Sequence, residues 1–220
     1  MRAKETEIIK IKKLRKDGSL SNEIVEKISN ALLKEDLVVL PIDNIYGVVG
    51  LTEPKVMSRI AKIRRVNTVE LVHLISSFKM LNSFAHYTKC DYDFLNRVWP
   101  GEVNVILHRR NGRETKKPVV IRFPKNKFIQ RVIDSVDCPL IVSKAFDKKN
   151  EILYREEEIL RRFVDRVDLI IIIEELCKKY PISTLIDISE GELKIIREGK
   201  ITSEEIKSLY FLDKDDDFVC

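Results

Sequence analysis

Leu37-Val38-Val39-Leu40-Pro41-Ile42-Asp43-Asn44-Ile45-Tyr46-Gly47 opens on four consecutive apolar residues and closes on a polar turn. A continuous apolar run of this length suits a strand buried on both faces. Such strands are typical of α/β proteins, where the loops leaving strand ends hold ligands. Asp43 accepts hydrogen bonds, and Tyr46 offers a flat ring with a polar tip. An Asp-Asn turn with a packed tyrosine is the simpler account of the same residues.

Upstream, Ser21-Asn22-Glu23 precedes Ile24, Val25, Ile28, Leu32 and Leu33, a capping residue followed by helical spacing. Residues 7–11 read as a short strand within a basic N-terminal segment. It is either an edge strand guarded by lysines or an RNA-facing arm. Downstream, residues 54–64 read as a helix, with Thr52 as N-cap and Pro54 in the first turn. Strands are expected at 71–75, 103–107, 119–121, 140–142, 167–173, 184–188 and 193–196. Helices are expected over most of 77–99 and at 128–136, 155–163 and 203–208. Interspersed elements imply an α/β fold. The short steps from 103–107 to 119–121 and from 184–188 to 193–196 imply antiparallel pairs, hence a mixed sheet. A single domain is expected over 1–212, with an acidic, disordered tail at 213–220.

Composition sets the outer limits. In 220 residues, 44% hydrophobic is enough for a packed core and argues against a disordered chain. Lys+Arg 40 against Asp+Glu 35 gives a formal charge of +5, which permits a polyanionic partner without demanding one. The first residues are charged and lack the apolar core of a leader, and no apolar run reaches the roughly 20 residues of a membrane span. Reduced thiols, a cytoplasmic location and no membrane partner are expected. His73, His86 and His108 are scattered, and no His/Cys cluster has zinc-ligand spacing.

No P-loop, G-x-G-x-x-G turn or G-x-S-x-G elbow occurs, so any nucleotide site must be assembled from scattered groups. Lys62-Ile63-Arg64-Arg65 ends a helix. Cations there are favoured by the helix dipole, and they also suit a triphosphate. His73 lies on a strand, where a satisfied core histidine is the plainer reading. Trp99-Pro100-Gly101 makes a turn whose tryptophan serves as a packing anchor. Arg122, at the end of a strand, suits a carboxylate. Ser183-Thr184 and Arg197-Glu198-Gly199 bring a hydroxyl and a guanidinium onto adjacent strands.

In order, these stretches resemble the YrdC-like family of threonylcarbamoyl-AMP synthases. The family pattern runs P-T-[DE]-T-x-Y-G, K-x-R-P, P-L-x-V-H, W-P-G-P-L-T, R-x-P, S-A-N, S-T-V-x-D and R-x-G. This chain keeps Pro41, Asp43, Tyr46, Gly47, Lys62, Arg64, His73, Trp99, Pro100, Gly101, Arg122, Pro124, Ser183, Thr184, Asp187, Arg197 and Gly199. The resemblance implies a YrdC-like single domain: a large twisted mixed sheet flanked by helices, with a positively charged concave cleft. It implies condensation of L-threonine, bicarbonate and ATP, with Mg²⁺ on the triphosphate, into threonylcarbamoyl-adenylate and pyrophosphate. Other proteins would then transfer the threonylcarbamoyl group to tRNA. Lys62 and Arg64 would be catalytic and hold ATP phosphates; Ser143, Lys144, Ser183 and Arg197 would complete the ATP site. Asp43, Tyr46, His73 and Arg122 would form the threonine pocket. The chain departs from the pattern at Ile42, Asn44, Arg65 and Glu102. It departs most at Lys144-Ala145-Phe146, where the family has Ser-Ala-Asn. That departure also admits a non-catalytic nucleotide- or double-stranded-RNA-binding relative of the same fold.

Overall fold

The computed structural model describes residues 5–43, 45–66, 71–110, 117–147, 149–176 and 178–212. The 213–220 tail lies outside them. The elements begin with β1 (Glu7–Ile11), α1 (Asn22–Leu33), β2 (Val38–Ile42), β3 (Ile45–Leu51), α2 (Pro54–Arg64) and β4 (Val72–Leu74). They continue with α3 (Phe78–Phe84), β5 (Ala85–His86), α4 (Lys89–Val98), β6 (Val103–Arg109), β7 (Pro118–Arg122) and α5 (Lys127–Val136). The last are β8 (Leu140–Lys144), α6 (Glu156–Phe163), β9 (Leu169–Ile173), β10 (Thr184–Asp187), β11 (Lys194–Arg197) and α7 (Ser203–Phe211). The mixed α/β class read from the sequence holds.

The chain divides into two compact units. Unit 1 comprises Met1–Leu71 and Asn126–Tyr180. Its strands run β1-β9-β2-β3-β8. The β1·β9 and β2·β9 ladders are parallel, while β2·β3 and β3·β8 are antiparallel. The expected strand at 37–40 is β2, buried along its whole length. Its partner β3 corrects the expectation of a loop after Ile42. A φ of +53° at Asp43 reverses the chain, the conformation that tight hairpin turns require. Tyr46 and Gly47 then fall on a strand. α1 forms as expected: the Ser21 hydroxyl accepts the Ile24 amide at 3.4 Å, and Val25, Ile28 and Leu32 are buried. α2 starts at Pro54, but Glu53 takes the cap position without a side-chain bond, which corrects the assignment of Thr52. The helix ends where Arg65 turns left-handed, with φ +59°. The core of this unit includes Leu37, Val39, Tyr46, Ile60, Ile141, Phe163 and Ile170.

Unit 2 comprises Val72–Lys125 and Pro181–Cys220. Its strands run β4-β7-β6-β10-β11, with β5 paired to β6. The two antiparallel steps expected from the sequence, β6·β7 and β10·β11, are present. The β4·β7 and β10·β6 ladders are parallel. The 77–99 stretch is two helices separated by β5, with α4 opened by a capping box between Thr88 and Asp91. Trp99 anchors the core, its indole N–H donating to the Val103 carbonyl at 2.8 Å.

Among the described residues, no helix is long and apolar enough to cross a membrane. The expectation of reduced thiols is corrected at Cys90, which is disulfide-bonded, while Cys138 is a free thiol. Spacing along a chain does not say which sulfurs meet in space.

Candidate functional site

In unit 2 the strand ends gather Arg122, Ser183 and Arg197. Arg122 closes β7 and is 7% exposed; its Nη1 donates to the Ser183 hydroxyl at 2.5 Å. Arg197 closes β11 and donates from Nη2 to the Ser183 carbonyl at 3.0 Å. Two guanidinium groups therefore hold the same residue, one by its side chain and one by its backbone. The neighbouring residues tie the two motifs to each other. The Thr184 hydroxyl donates to the Ile201 carbonyl at 2.5 Å and accepts the Gly199 amide at 3.1 Å. A Cβ on Gly199 would lie 2.3 Å from the Ile182 carbonyl oxygen, so only glycine allows this approach. Ser183-Thr184 and Arg197-x-Gly199 thus form one interlocked piece of backbone.

His73 sits on β4 and is buried beside Phe84, at 4.9 Å between ring centroids. Its Nδ1 is 3.3 Å from the Val120 carbonyl, so Nδ1 carries the proton and Nε2 is the nitrogen able to accept. Burial pushes its pKa down to about 4, with Arg109 adding repulsion and the Val120 bond opposing the shift. His73 is therefore a neutral imidazole at physiological pH. Its backbone bond fits the core reading made from the sequence.

In unit 1, Asp43 is buried and its carboxylate accepts the Asn126 amide at 2.8 Å, joining the β2–β3 turn to the start of α5. Tyr46 is fully buried; its hydroxyl accepts the Ile173 amide at 2.9 Å and donates to the Ile173 carbonyl at 3.3 Å. The packed-tyrosine alternative describes it. Ser143 is buried on β8 opposite Val48, and half-buried Lys144 stands opposite Gly47. A Cβ on Gly47 would lie 2.4 Å from a Val142 methyl, so glycine lets β8 approach β3. Asn44 lies outside the described residues.

Lys62 is exposed in the last turn of α2, whereas Arg64 is half-buried. The Arg64 guanidinium lies over the Phe146 ring at 4.0 Å from its centroid. Burial lowers the Arg64 pKa from its ordinary value. A further arginine, missed in the sequence, completes this cluster. Arg162 on α6 is 8% exposed, donating from Nε to the Phe146 carbonyl at 3.2 Å and from Nη2 to the Ile63 carbonyl at 2.6 Å. Burial lowers its pKa first, and Arg166, Arg65 and Arg64 lower it further against an opposing pull from Asp147. A signal existed: Ile159, Arg162 and Phe163 share the buried face of α6, and a cation on an apolar face needs a reason.

The predicted residues therefore fall into two groups. Arg122, Ser183 and Arg197 are in direct contact in unit 2, which also holds His73. Asp43, Tyr46, Lys62, Arg64, Ser143 and Lys144 belong to unit 1, where Asp43 and Tyr46 are committed to separate structural bonds.

The family model for Sua5, YciO and YrdC, described as "Telomere recombination", matches residues 30–199, more than half of the chain. The chain belongs to the Sua5/YciO/YrdC family. Its fold matches P. abyssi Sua5 complexed with L-threonine at TM-score 0.79 and 19% identity, covering 93% of this chain and 61% of that one. The H234A/Y235A form of P. abyssi Sua5 is covered over 60% of its length, so this member spans less than two thirds of those Sua5 chains. E. coli YciO matches at TM-score 0.76 and 19% identity, over 89% of this chain and 96% of YciO. Full-length HypF in its phosphate- and nucleotide-bound form matches at TM-score 0.69 and 10% identity, over 80% of this chain and 29% of HypF. The resemblance read from the ordered motifs is borne out at the level of family and fold.

Proposed function

We propose that this Sua5/YciO/YrdC family member is a diverged threonylcarbamoyl-AMP synthase, joining L-threonine, bicarbonate and ATP into threonylcarbamoyl-adenylate with release of pyrophosphate. The observation that carries the reading is the buried Arg122 guanidinium, fixed by the Ser183 hydroxyl at a strand end. A guanidinium held in this way matches a carboxylate by two parallel N–H bonds. The complex of P. abyssi Sua5 with L-threonine supports an amino acid as its ligand. In this reading Arg122 takes the threonine carboxylate, Lys62 and Arg64 take ATP phosphates, and Ser183 and Arg197 serve the nucleotide. Lys144 adds a charge for phosphate.

The chemistry calls for cations and no general base. A carbamate anion must attack an anionic α-phosphate, and positioning with charge neutralisation lowers that barrier. Among the described residues, no group of three or more His, Cys, Asp or Glu is placed to hold a metal ion. Magnesium would enter as MgATP and offset charge on the triphosphate. The product would be passed to the proteins that modify tRNA in the cytoplasm.

The test is pyrophosphate release by the full chain with MgATP. Release that requires both threonine and bicarbonate supports the reading; folded protein with no threonine-dependent turnover sinks it. One observation favours a second reading, a nucleotide- or double-stranded-RNA-binding relative without catalysis. Phe146 stands where the family has an amide, and its ring is taken by Arg64. That reading predicts RNA binding that weakens steeply with salt, as phosphate contacts release counterions; salt-insensitive binding counts against it.

A further inference from the structure

One side chain outside every sequence motif joins the end of α2 to the loop after β8. The Arg162 guanidinium donates to the Ile63 carbonyl and to the Phe146 carbonyl. Ile63 directly precedes Arg64 and belongs to the last helical turn, whose carbonyls lack partners within the helix. Phe146 supplies the ring on which Arg64 rests. The same guanidinium therefore grips the backbone beside both members of the stack.

A helix cap alone does not require a cation. A neutral amide could donate to these carbonyls without bringing a charge into the interior, where desolvation is costly. Here the donor is charged, nine-tenths buried and within repulsive reach of Arg64, Arg65 and Arg166. Its Nη1 is buried and has no hydrogen-bond partner among the described residues. The guanidinium's advantage is geometric: its rigid planar fork fixes two carbonyls at once, which sets the separation of residues 63 and 146. Stacking occupies the face of Arg64 and leaves its N–H edge able to meet an anion.

We propose that Arg162 is a positioning residue, which sets the Arg64–Phe146 stack so that the N–H edge of Arg64 meets a phosphate group already oriented. The proposal rests on the reading of Arg64 as a phosphate ligand. An arriving phosphate also offsets the repulsion among the four arginines, so binding and local order strengthen together.

The test titrates inorganic pyrophosphate into the full chain by calorimetry at low ionic strength. The proteins compared are wild type, Arg64→Met, Arg162→Gln, Arg162→Lys and the Arg64→Met/Arg162→Gln double variant. Arg162→Gln is expected to weaken binding about tenfold, the scale of one hydrogen bond between charged groups. Arg162→Lys should fall between, and the double variant should bind no more weakly than Arg64→Met alone. A merely structural residue would instead give additive losses, and that result overturns the proposal. Equal affinity for wild type and Arg162→Gln overturns it while leaving Arg64 as a ligand. No binding by wild type overturns the reading of Arg64 itself, and this proposal with it. Circular dichroism reports folding; if Arg162→Gln does not fold, unchanged affinity in Arg162→Lys overturns the proposal and weakened affinity supports it.

Discussion

Arg122 and Arg64 are held in opposite ways. Arg122 is buried at a strand end and bonded to a hydroxyl, within a frame locked by Thr184 and Gly199. Arg64 lies at a helix end, half-buried on an aromatic face, with other arginines nearby. A strand-end frame fixes direction through hydrogen bonds; an aromatic face fixes the plane in which the N–H edge of the guanidinium lies. The first arrangement suits a carboxylate of fixed geometry. The second suits a phosphate, whose oxygens are reached from several directions.

The largest expected difference is in activity. Arg122→Leu should lower threonine-dependent pyrophosphate release about a thousandfold, since it removes the carboxylate's charge partner. Arg122→Lys should rescue little, because a point charge does not reproduce the fork. Activity within about tenfold of wild type would remove Arg122 from the site. The measurement is steady-state release in protein whose fold is verified by circular dichroism.

The next largest concerns how fully unit 2 encloses its polar groups. The His73 pKa lies near 4 when folded, below the ordinary value of 6.5. Between those values the unfolded chain binds a proton that the folded chain does not. Stability is thus complete above about pH 6.5 and falls as the pH drops to about 4, by about 3 kcal/mol from this group. Urea midpoints across that range should show the fall, and His73→Gln should flatten it. An equal slope in the variant would place the titration elsewhere.

A smaller contrast separates two glycines. A Cβ on Gly199 meets backbone, whereas one on Gly47 meets a side-chain methyl. Gly199→Ala should cost about 2 kcal/mol and Gly47→Ala less, since a methyl group moves more readily than a carbonyl. Urea unfolding of both variants checks the order. The smallest effect is the stack itself: Phe146→Leu should remove about 1 kcal/mol of coupling to Arg64, read by a double-mutant cycle with Arg64→Met on unfolding. Zero coupling would make the stack incidental.

Much of the fold was legible because its signals are local. Ser21 followed by Val25, Ile28 and Leu32 announces α1, and the unbroken apolar run announces β2. β3 was hidden by its composition: two glycines in Ile45–Leu51 and the Asp-Asn pair before it resemble a loop. The reversal includes the positive φ of Asp43, which side-chain periodicity does not encode. Arg122, Ser183 and Arg197 were legible as separate motifs, but their bonding depends on β10 lying between β6 and β11. Arg162 was not singled out at all. Its role comes from two carbonyls far away in sequence, at residues 63 and 146, and carbonyls leave no mark in a sequence. The partner of Tyr46 was likewise not legible: its hydroxyl bonds the Ile173 backbone inside the core.

The most direct test of the account is chemical. Incubated with MgATP, L-threonine and ¹³C-bicarbonate, the full chain should yield an adenylate whose mass carries both the threonine and the labelled carbon. Pyrophosphate released without such an adenylate, or no product from folded protein, would contradict it.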